Sequence, residues 1–179
     1  MVADPHYAPH LASQGGFGSL VATLRFVGGG KRLQSYASLQ AIGADSLSSL
    51  AKKLRLDPGH RVVVLNSPPG YLDQLAPAPR ELTSQLKPGE TYDVVQLFVN
   101  NAEELRALGA TAIRAVKPDG LLWVAYPKGG ATRGATDLPA TPWWTKRDVL
   151  GEHTGETGFM PVAFLKIDEI WTAVRFKKA

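Results

Sequence analysis

Residues able to do chemistry gather in two stretches of this 179-residue chain. The first is Asn66-Ser67-Pro68-Pro69-Gly70, which breaks the apolar run "RVVVL" and precedes the amphipathic "GYLDQL". The second is "PKGGATRGATD" at 127–137, carrying Lys128, Gly129, Gly130, Thr132, Arg133 and Gly134. Glycines bring backbone N–H groups forward and Lys and Arg add charge, so this loop suits an anion or phosphate. The competing reading is a surface loop whose cations are solvated. If both stretches meet at one cleft, Asn66 and Ser67 orient a polar ligand and Lys128 and Arg133 neutralise its charge. Gly70 and Gly129 complete that set.

Trp143-Trp144 follow the second loop directly. Adjacent residues cannot both face inward on one helix, so one tryptophan is expected to cover the loop edge or stand exposed. There it stacks a nucleobase or meets a protein partner; the alternative is packing of a helix start on a sheet. Trp123 and Trp171 lie inside strand patterns and read as packing.

Other chemistries are excluded or thin. The absence of cysteine removes disulfides, thiolate metal sites and a thiol nucleophile together. His6 and His10 are four apart, but Pro5 and Pro9 argue against the helix a metal pair would need. His60 stands near Asp57, where a local hydrogen bond explains it, and His153 lies near a helix end, where a partly charged imidazole is favourable. No G-x-S-x-G is present, and "VGGGKRL" lacks phosphate-loop spacing, with Arg32 where Ser or Thr would hold magnesium. The net charge of +4 suits an anionic ligand and falls short of a nucleic-acid footprint. No apolar run approaches the roughly 18 residues of a membrane span, and the N-terminus lacks a secretory pattern. The expectation is a cytoplasmic protein of bacterial type.

The elements that must position these residues read as α/β. Residues 1–45 form a partly irregular extension, with a short strand in "SLVATLRFV" and helical spacing at Leu33, Tyr36, Leu39 and Ile42. A single domain follows over 46–179. Ser46 is expected to cap a short helix carrying Leu47, Leu50 and Leu54, ended by Asp57-Pro58-Gly59. "RVVVL", "YDVVQLFV" and "LLWVAY" are continuous apolar runs, the pattern of strands buried on both faces. "ELTSQL" holds a small strand, and Asn100 or Asn101 caps "AEELRALGATAIRAV" with Glu103 and Glu104 in its first turn. Lys117-Pro118-Asp119-Gly120 turns the chain into "LLWVAY". Thr141-Pro142 opens one helix through "WWTKRDVLGEH". "PVAFLKI" and "IWTAVRF" alternate as an antiparallel pair. The predicted fold is a mainly parallel sheet with an antiparallel edge strand.

This order resembles the class I methyltransferase-like Rossmann fold. "YDVVQLFV" and "VKPDGLLWVAYPKG" are similar to its fourth and fifth strands, and "FLKIDEIWTAVRF" to its last two. Three segments, "LAKKLRLDPGHRVVVLNSPPGY", "DGLLWVAYPKGG" and "IWTAVRF", also resemble the bacterial family catalogued as domain of unknown function 3052, across residues 50–177. That resemblance implies a degenerate methyltransferase-like domain, shortened between the first and fourth strands, with no established chemistry. In such enzymes S-adenosylmethionine meets glycines after the first strand, a carboxylate near that strand's end, an acid ending the second strand and a residue after the fourth. Here Asn66 replaces the first carboxylate, two prolines occupy the glycine loop and Glu81 is the nearest second acid. The expected function is a non-catalytic module binding a small anion, nucleotide or protein partner through Trp143, Trp144 or the N-terminal extension. The alternative is a divergent S-adenosylmethionine-dependent methyltransferase.

Overall fold

The computed structural model describes residues 47–128 and 136–179. The expectations for residues 1–46, and for Gly129, Gly130, Thr132, Arg133 and Gly134, lie outside the described residues.

Helix α1, Ser49–Lys53, is capped by Ser48, whose hydroxyl accepts from the Ala51 amide at 3.1 Å. Ser48 therefore does the work expected of Ser46, and Leu47, Leu54 and Ala51 go into the core. The turn at 57–60 closes locally: the Asp57 amide donates to His60 Nδ1 at 3.1 Å, and the Gly59 amide to Asp57 Oδ1 at 3.0 Å. Strand β1, Arg61–Leu65, buries all three valines, because alternate side chains enter cores on opposite faces. Gly70, at φ 75°, stands before the short α2, Tyr71–Gln74. Strand β2 is Glu81–Thr83 and β3 is Tyr92–Phe98.

Helix α3, Ala102–Ala115, begins on Asn101, whose Oδ1 accepts from the Glu104 amide at 2.9 Å. Strand β4 runs Val116–Pro127. The expected turn at 117–120 is a bulge inside this strand: Tyr92 pairs with Val116, and Val94 already pairs with Leu121. A Cβ on Gly120 would stand 2.9 Å from the Asp93 carbonyl oxygen, so the bulge needs a residue without one.

The single helix expected from Thr141 is two. A 3-10 turn, Thr141–Thr145, stops at Lys146, and α4, Val149–Thr154, restarts on Asp148. Asp148 Oδ1 accepts the Gly151 amide at 2.9 Å, offering the backbone a new N-terminus where one long helix would run through. Strands β5, Phe159–Lys166, and β6, Trp171–Lys178, are the antiparallel pair.

The described strands form one six-stranded sheet in the order β2-β1-β3-β4-β6-β5. Neighbours from β2 through β4 are parallel, and β6 runs against both β4 and β5. This is a Rossmann-like, methyltransferase-like α/β sheet, with the antiparallel strand inserted just inside the edge strand β5. Helices α3 and α4 with Trp144 cover one face; α1, α2 and Trp171 cover the other. Chain order reverses across β1, where β2 goes to one side and β3 to the other. The loops after β1 and β3 therefore flank the switch point at which open α/β sheets receive ligands.

Candidate functional site

At the carboxyl end of β1 the chain enters Asn66 with φ 53°, a left-handed conformation that asparagine tolerates better than most residues. Its Nδ2 donates to the Phe98 carbonyl oxygen at 3.0 Å and to Glu104 Oε2 at 3.1 Å. The side chain thus spans the switch point, tying the end of β1 to the end of β3 and the first turn of α3. Glu104 also accepts from the Asn100 amide at 2.7 Å and from Asn100 Nδ2 at 3.1 Å. This is a capping box displaced by one residue, since the N3 carboxylate usually reaches the cap amide itself.

Ser67 is half-buried in the following turn, while Asn66 and Gly70 are exposed. The Tyr71 amide donates to the Pro68 carbonyl oxygen at 3.1 Å, which fixes the turn without glycine-borne N–H groups. Beneath lies an aromatic row. Phe98 meets the Tyr71 ring edge-on at 4.6 Å and the Trp171 ring at 5.0 Å. Tyr71 exchanges hydrogen bonds of 2.7 and 2.9 Å with Gln96, a buried polar pair in an otherwise apolar face. Burial drives the Tyr71 phenol well above its ordinary range, and pushes that of Tyr126 up to about 12. Neither phenol is a base at neutral pH.

Lys128 follows the end of β4, yet its ammonium is drawn to the β5–β6 turn. It donates to the Asp168 carbonyl oxygen at 2.7 Å and lies 3.5 Å from Glu169. Glu169 also pairs with Lys166, and these ammonium groups hold its carboxyl below the usual range. Asn66 and Lys128 share the carboxyl edge but face different neighbours. Asp137 Oδ1 accepts from the Ala102 amide at 2.6 Å, linking the end of the glycine loop to the start of α3.

Two sequence expectations change here. Glu81 begins β2, at the amino edge, where it pairs with Arg61 at 2.7 Å. It is therefore at the wrong end of the strand to meet a ribose. Trp144 is fully buried, its Nε1 donating to the Pro139 carbonyl oxygen and its ring 4.8 Å from that of Tyr126. It cannot dock a partner. Trp143 is 52% exposed beneath Lys146. Glu104 is the site residue the sequence reading passed over; its N3 position after an asparagine pair was the available signal.

Among the described residues no three His, Asp or Glu side chains are placed to share a metal, and no helix is long and apolar enough to cross a membrane. No family model matches the chain, and no curated protein matches it. Solved structures similar to it include methyltransferases. One, an S-adenosylmethionine-dependent methyltransferase from Aquifex aeolicus, is 16% identical over 80% of this chain and 98% of its own, with a TM-score of 0.48. An N-methyltransferase from Bradyrhizobium japonicum is 14% identical over 79% and 93%, with a TM-score of 0.44. Magnesium protoporphyrin IX methyltransferase from Synechocystis is 13% identical over 80% of each chain, with a TM-score of 0.43. The fold rests on the sheet order rather than on these distant likenesses.

Among the described residues, three positions differ from the methyl-donor pattern that the resemblance implies. An asparagine stands for the carboxylate after β1, prolines occupy the glycine loop, and Ser84 and Gln85, not an acid, follow β2.

Proposed function

We propose that the chain is a small-ligand-binding α/β domain that holds an anion or nucleotide over the carboxyl ends of β1, β3 and β4 without catalysing a reaction. Asn66, Ser67, Gly70, Lys128, Gly129 and Arg133 are its contact residues. Residues 50–177 belong, in this reading, to the domain of unknown function 3052 family. The observation that supports it is the fixed pose of Asn66. Both Nδ2 bonds are made within the protein, so the carboxamide is oriented before any ligand arrives, and among the described residues no donor reaches its Oδ1. An immobilised acceptor at a switch point takes a hydroxyl or amino donor of a nucleotide without a further ordering cost, and the ligand's negative charge falls to Lys128 and Arg133.

A panel of nucleotides, S-adenosylmethionine and S-adenosylhomocysteine, read by thermal shift, tests this. A ligand at 100 times its dissociation constant adds about 2.7 kcal/mol. Asn66→Ala is expected to weaken the response at least tenfold. A panel with no stabilising member at millimolar concentration would count against the reading.

The second reading, a divergent S-adenosylmethionine-dependent methyltransferase, is favoured by Glu104. Its carboxylate reaches the end of β1 from α3, and in this reading it replaces the carboxylate that meets a donor's amino group. Stabilisation by S-adenosylhomocysteine that Glu104→Gln removes, without the nucleotide response changing, would select this reading. A protein-docking role falls to Trp143 and the N-terminal extension. Trp143→Ala leaving a pulled-down partner attached would reject the tryptophan's share.

A further inference from the structure

The opposite pole of the sheet holds a cavity of about 570 Å³ that the carboxyl-edge reading does not use. It opens where the 117–120 bulge of β4 meets the last residues of β6. Leu122, Phe159 and Phe176 line it on one face of the sheet, and Leu121, Arg55 and Arg175 line it on the other. Of the other four cations of the lining, Arg114 is engaged with Glu156 at 2.9 Å, Lys117 with Asp93 at 2.6 Å, Lys178 lies over the Phe159 ring at 5.9 Å, and Lys177 is exposed at the end of β6.

Arg55 and Arg175 differ. Among the described residues neither has a carboxylate partner, and Arg175 Nε is buried without any hydrogen-bond acceptor. The Arg175 guanidinium lies 5.9 Å from the Trp123 ring. Burial first, and then the charge of Arg55, hold Arg175 below the ordinary arginine value. Two like charges in one cavity, with an orphan donor between protein walls, form a site that an anion would complete. Arg55 carries a second sign. It ends α1 at φ 58°, a position where glycine sits without strain, and a guanidinium occupies it instead.

We propose that this cavity binds a small organic anion, its phosphate or carboxylate head held by Arg55 and Arg175 and its apolar body against Leu121, on the face of the sheet that Trp123 and Arg175 share. Either head matches the planar fork of a guanidinium. The volume lies within the range of small-molecule pockets, roughly 300–1,000 Å³. The site is separate from the carboxyl edge and stands whether or not that edge binds a ligand.

Thermal shift of the full chain against phenyl phosphate, benzoate and inorganic phosphate, each matched by sodium chloride at equal ionic strength, decides it. A saturable rise with phenyl phosphate or benzoate is expected, and the larger of the two identifies the head. Inorganic phosphate, lacking the apolar body, should half-saturate at higher concentration. Arg175→Met, which keeps a stem over Trp123, and Arg55→Gly, which suits the backbone, should each raise the half-saturation concentration at least tenfold. Arg80→Ala, an exposed cation outside the cavity, should leave it unchanged. Should Arg175→Met not fold, Arg55→Gly alone carries the comparison. No rise above the chloride control, or an equal rise in the arginine variants, overturns the proposal.

Discussion

Asn66 illustrates how one side chain can serve fold and site together. Its left-handed backbone favours asparagine or glycine, while its two donated bonds need the amide. Asn66→Gly should therefore cost only the hydrogen bonds, about 0.5–1.5 kcal/mol each. Asn66→Ala should cost roughly 1–2 kcal/mol more, because alanine also meets the left-handed penalty. Urea denaturation of the two variants checks the order. The Tyr71–Gln96 pair gives a sharper case, since both partners are buried. Gln96→Leu leaves the Tyr71 hydroxyl without a partner and should destabilise by about 1–3 kcal/mol. Adding Tyr71→Phe should restore most of that loss, because removing both polar groups leaves nothing unsatisfied. A double mutant no more stable than Gln96→Leu alone would refute the pairing.

Among elements, the packing of α3 on α4 depends on Gly109. A Cβ there would stand 2.5 Å from Thr154 Cγ2, so the two helices approach at the place where one side chain is missing. Gly109→Ala gains about 1 kcal/mol of helix propensity yet should destabilise overall by overpacking, about 1–3 kcal/mol. Thr154→Ser removes that methyl and keeps the hydroxyl that donates to the Leu150 carbonyl oxygen. The double variant should then recover stability, a coupling measurable as a double-mutant cycle. Asp148 decides where α4 begins, and Asp148→Ala should cost about 1 kcal/mol through the lost cap. The elements were legible to different degrees. The β1, β3 and β4 runs were plain because burial on both faces forces continuous apolar sequence. The break between the 3-10 turn and α4 was not, since burial of the Trp144 indole on the sheet, a long-range event, fixes the 3-10 turn before Asp148 caps α4.

Across the whole molecule, Asp93 ties the amino pole together. Its Oδ2 accepts the Arg61 amide of β1 at 2.9 Å, and its Oδ1 accepts from Lys117 in the β4 bulge at 2.6 Å. Burial pushes its carboxyl up, but the Lys117 ammonium and the Arg61 amide outweigh that and hold it below the usual value of 3.8. A depressed folded pKa means stability that is present above the unfolded pKa and is lost as pH falls through the folded one. Urea midpoints should accordingly fall as pH drops from about 5 through the acid carboxylate range. Asp93→Asn should flatten part of that decline while lowering stability at neutral pH. An unchanged acid limb in the variant would remove Asp93 from the account.

The amino-acid sequence by itself determined the order of strands and helices along the chain, an asparagine cap at 100 or 101, and the turn at 66–70. Those features follow from local periodicity, backbone preference and turn chemistry, each readable within a few residues. Only the tertiary structure decided which polar groups meet. Asn66 finds Phe98 and Glu104 across intervening elements, Glu81 is carried to the opposite edge from the one its type suggested, and Arg55 and Arg175 converge from α1 and β6. Sequence spacing holds no record of such meetings, because strand order in a sheet is set by which faces must be buried together and not by order along the chain.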